Sequence, residues 1–499
     1  MGMSEQRAGA SKAAFFLFGT VAGAMAVLLT VEVPEGHAEV AWGVTWAALL
    51  ISSLVAAFAG RERRPPPPDG GGAAAGPADT VRPSRTGAVR ATAAVVLCLV
   101  LGGGTWAFWP EDESKGKASG ASAKGGEKPR ASWKVPSVGN RDDEGPGAWG
   151  LGDSVVRGRV DGLSSYSARD GAERWTLPAP AREAVCAMSP EAEQGIGLIA
   201  YGRHYKPCAT LVAVRVSDGK ALWQRSLKGE GLIDGGAAVG GTTAVTAEDG
   251  ALRARSAGTG EQLWQRPLGK ECAARAVDAT SARTLLVEQC GTGARLIALD
   301  TRTGEERWTR DLPVESITDA AVVSVTPAVL AVSEEDQRGT HALLGFDDRG
   351  APTATVPLSG PAGELVAPES IGRNFGGQGR PLVLGDLLIT LAERDGLWAD
   401  VVVAHSLKDG REMWEHRAAG SLYGLAPMTN GRVGVLTESG DEGHIILLNK
   451  DGAERGLIEP EEGRGGAVST RPELIPVTGG HVVVNHLSMS GEPALFSLP

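Results

Sequence analysis

Hydrophobic and polar positions divide the chain into two regions of different rhythm. Stretches 13–31, 40–59 and 91–109 are almost wholly apolar and carry no charged side chain. Each is close to the ~20 residues that a helix needs to cross a bilayer, so each predicts a transmembrane helix. After residue 130 the pattern alternates with period two, as in Leu211-Val212-Ala213-Val214-Arg215-Val216. Such runs predict strands, and the Asp-Gly and Thr-Gly pairs between them predict tight turns.

A longer period lies over the short one. An apolar pair, a polar turn ending in glycine and a large apolar position four residues on recur at Gly171 with Trp175, Gly219 with Trp223, Gly260 with Trp264 and Gly304 with Trp308. Weaker copies follow at Gly350 with Ala354, Gly410 with Trp414 and Gly452 with Gly456. The glycines are 48, 41, 44, 46, 60 and 42 residues apart, a spacing that fits one four-stranded propeller blade. Residues 493–499 read as the third strand of an eighth copy that stops before its turn. The missing fourth strand is found at the other end, around Trp133, whose neighbours resemble those of Trp175. The expectation is an all-β, eight-bladed propeller over 131–499, with seven blades as the alternative, closed by its own N-terminal strand so that no edge is left open.

Ala298-Leu299-Asp300-Thr301-Arg302-Thr303-Gly304-Glu305-Glu306-Arg307-Trp308 resembles the tryptophan-docking repeat of pyrroloquinoline-quinone (PQQ) propellers, and 132–499 is similar to that PQQ-like family throughout. The family holds quinoprotein dehydrogenases, a propeller lipoprotein of the outer-membrane barrel assembly machinery and sensor domains of bacterial kinases. The resemblance implies a fold more than an activity, because Trp133, Trp175, Trp223, Trp264, Trp308 and Trp414 are structural in it. It also implies what an enzyme of the family needs: two adjacent cysteines against the quinone and a calcium held by Glu, Asn and Asp. No Cys-Cys pair occurs in this sequence. The expectation is therefore a non-catalytic interaction, scaffold or sensing module with no cofactor and no metal, the alternative being a PQQ-dependent dehydrogenase.

Charge sets the orientation. Arg61, Arg63, Arg64, Arg82, Arg85 and Arg90 fall between the second and third apolar stretches, whereas 32–39 carries Glu32, Glu35 and Glu39 and no Lys or Arg. The Arg-rich loop belongs in the cytoplasm, which places the N-terminus inside and everything after Trp109 outside. Residues 1–109 thus form a membrane domain, and 110–130, rich in Gly, Ser, Lys and Glu, a flexible linker. Of the net charge of −11, residues 1–109 contribute +1 and the remainder −12 (41 Lys/Arg against 53 Asp/Glu), which argues against a nucleic-acid partner. The expected partners are the membrane and a protein or cell-envelope ligand.

Four cysteines in the repeat region suit an oxidising compartment. Strand phasing pairs Cys186 with Cys208 and Cys272 with Cys290 most simply; two other pairings stay open on sequence alone. The eight histidines are scattered and read as surface or strand residues. The longest interval, between Gly350 and Gly410, holds its excess in 359–381, where Glu364, Glu369, Arg373, Asn374 and Arg380 make the candidate binding loop. A second candidate is the basic-aromatic run from Tyr201 to Lys206.

Overall fold

The computed structural model describes residues 132–138, 144–203, 206–229, 231–335, 338–361, 363–366, 380–395, 398–488 and 491–499, all within the compact unit Ser122–Pro499. The expected membrane spans, the Arg-rich loop and the linker lie outside these residues. Among the described residues no helix is long and apolar enough to cross a membrane.

Alternation does what it predicts. In Gly293–Asp300 the residues Leu296, Ile297, Ala298 and Leu299 are all buried, because one face of the sheet packs on the preceding sheet and the other on the next. Four sequential strands form an antiparallel meander: Cys272–Ala279, Arg283–Cys290, Gly293–Asp300 and Glu306–Leu312. The same meander is built from Ala148–Leu151 to Glu173–Pro178, from Ile317–Ser324 to Pro352–Pro357 and from Leu422–Pro427 to Glu454–Ile458. Two further meanders, Ala184–Met188 to Ala221–Ser226 and Leu232–Gly240 to Gln262–Pro267, are joined by a single pairing of Leu232 with Cys208.

The first and last strands of the described residues share a sheet. Lys134–Pro136 pairs antiparallel with Pro493–Leu498, Lys134 opposite Phe496 and Val135 opposite Leu495, as the fourth strand beside Gly480–Leu487 and Thr470–Val477. The strand expected to complete the last repeat therefore does so. The hydrophobic core is divided in the same way. Each apolar cluster is shared by two successive sheets, as where Leu285, Val287 and Leu296 meet Leu330, Val332 and Leu344. One cluster joins the last sheet to the first, with Val482, Val484 and Leu495 packed on Ala148, Val155 and Tyr166. Arg157, buried, donates to the Asn485 carbonyl at 2.8 Å across this junction. The Asn485 amide accepts from the Ser469 N–H and donates to the Ala467 and Pro493 carbonyls, so the seam carries hydrogen-bonded polar groups as well as apolar ones.

Each repeat tryptophan docks on the turn of the following sheet. Trp133, Trp175, Trp223 and Trp264 donate their indole N–H to the carbonyls of Ala168, Val216, Ala257 and Thr301 at 2.7–3.1 Å. Trp308 and Trp414 do the same with Asp348 and Lys450. The ring lies flat on the repeat glycine: a Cβ added to Gly171, Gly219, Gly260, Gly304, Gly350 or Gly452 would come within 2.4–2.7 Å of it. These glycines also have φ between +69° and +79°, so both the turn and the stacking exclude a side chain.

Candidate functional site

The 359–381 insertion is not a simple loop between sheets. Ser359–Gly360 and Gly363–Leu365 are short strands, with Glu364 opposite Glu393 and Leu365 opposite Ala392. Val366 donates its N–H to the Leu391 carbonyl, and Leu382 then pairs with Ile389 of the same strand, Leu387–Glu393. The extra residues thus leave and rejoin at neighbouring positions in the first strand of their sheet, which they split into Gly363–Leu365 and Leu382–Leu384. Glu369, Arg373 and Asn374 lie outside the described residues. Glu364 lies in the first piece of the split strand and Arg380 two residues before the second, and no contact joins them among the described residues.

Arg380 instead reaches a group that sequence reading missed. Its guanidinium is 3.8 Å from the carboxylate of Asp278, at the end of Cys272–Ala279. That strand begins another sheet, with the sheet Ile317–Ser324 to Pro352–Pro357 between the two in the chain. Burial pushes the Asp278 carboxyl up to about 6; Arg380 and the Ala279 N–H act against the shift, while Glu191 and Glu193 add to it. Glu193 also accepts the Gly241 N–H, so this acidic group is tied to the backbone of a further sheet. A carboxyl titrating near neutrality beside one guanidinium can exchange a proton or an ionic partner. No local signal could have shown this, since Asp278 and Arg380 are about a hundred residues apart in sequence.

The four cysteines of the repeat region are structural. Disulfides join Cys186 to Cys208 and Cys272 to Cys290, Cα atoms 6.1 and 4.1 Å apart. Among the described residues the one set of three possible metal ligands is Cys272, Glu288 and Cys290, whose sulfurs are already bonded to each other. Glu288 is engaged by Arg295 and the Gly269 N–H. Tyr201 is not displayed by a loop: it is a buried strand residue whose hydroxyl burial pushes up to about 12, and His204 and Tyr205 lie outside the described residues. Burial likewise pushes His405 and His481 down, and His486 faces Glu473 at 2.8 Å.

Sequential four-stranded meanders, six of them pinned to the next by an indole on a glycine turn, define a β-propeller of the PQQ-like repeat class. The chain belongs to that family: residues 120–280 and 205–399 match the family described as outer membrane protein assembly factor BamB. Two solved structures are similar in fold. One is BamB from Moraxella catarrhalis, at 17% identity and TM-score 0.45, covering 74% of this chain and 97% of that one. The other is a chain of the mitotic checkpoint complex, at 10% identity and TM-score 0.41, covering 68% and 98%. No curated protein matches the chain in sequence.

Proposed function

We propose that the chain is a non-catalytic interaction module, an eight-bladed propeller held outside the cytoplasm by three N-terminal membrane helices and engaged by a protein or cell-envelope ligand. The observation that carries this reading is the match of residues 120–399 to a family described as an assembly factor. The eight successive strand groups and the core cluster linking the last to the first support the blade count. Three uncharged apolar stretches and the Arg-rich segment between the second and third support the anchor and its orientation.

The test is affinity capture of the tagged full chain from membranes of crosslinked cells, against an untagged control. A discrete envelope partner is the expected result. The quinoprotein reading would instead be supported by dye reduction after addition of PQQ and calcium, with no partner retained. Protease added to intact spheroplasts should remove the propeller and spare an N-terminal tag; a protected propeller would overturn the orientation.

A further inference from the structure

Two junctions lack the docking indole, and one of them keeps the rest of the dock. Numbering the blades in chain order from Ala148–Leu151, the fifth has Ala354 where its neighbours have Trp, with Gly345 directly opposite. The turn of the sixth blade is unchanged: Gly410 has φ +75° and donates to the Ser406 carbonyl, as Gly219 does to Arg215. The carbonyl three residues before the glycine, the atom that receives the indole N–H from Trp133, Trp175, Trp223 and Trp264, belongs here to Leu407. No hydrogen bond among the described residues reaches it. The backbone of Thr355 has moved over Gly410 itself, and beside it a cavity of about 170 Å³ opens between the two blades. Its lining includes the apolar Phe346, Leu407 and Pro327 and the polar Asp347, Thr353, Asp386 and Lys408.

We propose that this cavity binds a single aromatic side chain from a partner polypeptide. Size limits the occupant: small-molecule pockets run from about 300 Å³ upward, whereas an apolar cavity of roughly 150 Å³ accommodates one benzene ring. The chain's own indoles occupy the corresponding junctions and use the carbonyl that is left open here. Charge adds no preference: Asp386 is paired with Lys408 at 2.6 Å, and the Arg349 and Arg310 guanidinium groups act on Asp347, whose carboxyl the Ala351 and Arg349 N–H groups already hold below the usual range.

The inference deepens the interaction reading and fails separately from it, because crosslinked capture would still retrieve a partner bound elsewhere. Calorimetry on the full chain in detergent, with acetyl-Lys-Trp-Lys-amide and acetyl-Lys-Ala-Lys-amide as probes, decides it. Saturable binding of the Trp peptide, at least tenfold tighter than the Ala peptide, is expected. Ala354→Trp, which fills the junction from within, should lower that affinity at least tenfold, and so should Thr353→Tyr in the polar lining, which leaves the core untouched and decides the matter if the first variant does not fold. Equal binding of the two peptides, or a Trp-peptide affinity unchanged by Thr353→Tyr, would overturn the proposal.

Discussion

A single repeat glycine does two jobs, and substitution can separate them. Gly219 and Gly250 both have positive φ, +69° and +66°, but a Cβ on Gly219 would lie 2.4 Å from the Trp175 ring, whereas one on Gly250 meets nothing within 4 Å. Gly250→Ala should cost about 1 kcal/mol, the strain of a left-handed backbone. Gly219→Ala should cost on the order of 3 kcal/mol, because the indole must also leave its seat. Urea unfolding of the two variants checks this, and equal losses would mean that the stacking contributes nothing. Asp278 gives the corresponding electrostatic prediction. Its folded-state pKa of about 6 exceeds the unfolded value of 3.8, so the protonated form stabilises the fold fully below about pH 4 and that contribution is lost as pH rises through about 6. Asp278→Asn should therefore be more stable than the parent at pH 7, by on the order of 2 kcal/mol, with the difference vanishing near pH 4. A difference that does not change with pH would refute the assignment.

At the scale of strands, local alternation and turn chemistry made most elements legible, and contacts made a whole repeat away were not. Each indole meets its acceptor 34 to 41 residues later, so the sequence shows the tryptophan and the glycine but not which glycine it docks on. The split first strand of the sixth blade was hidden for a different reason. Its two pieces are three residues each, too short for a period-two pattern to register. Gly456 shows how context rewrites a motif. In the next blade the third and fourth strands, Pro493–Leu498 and Lys134–Pro136, are not consecutive in the chain and share no glycine turn, so the position opposite Leu447 meets no such dock among the described residues. The cysteines were legible from strand phasing. Cys272 and Cys290 are direct partners in antiparallel register. Replacing Cys186 and Cys208 by Ser should cost about 3 kcal/mol, as expected of a closed loop of some 20 residues. Unfolding with and without reductant measures it; a parent chain insensitive to reductant would contradict a stabilising role for the bonds.

For the molecule as a whole, strands some 360 residues apart in the sequence close one ring. Val135 and Trp133 pack with Val482, Val484 and Leu495, and Trp133 then docks on Gly171 of the first blade. Trp133 is therefore shared by the last blade, which it completes, and the first, on which it rests. Loss of this strand would leave Pro493–Leu498 as an open edge and free the first blade from the last. The most direct measurement is the urea midpoint of the full chain against two deletions, one removing 132–138 and the other 493–499. Both deletions should lower the midpoint of the entire propeller in a single transition, and Trp133→Ala alone should account for about 3 kcal/mol of the first. A midpoint unchanged by removal of 132–138 would show that the N-terminal strand is no part of the ring.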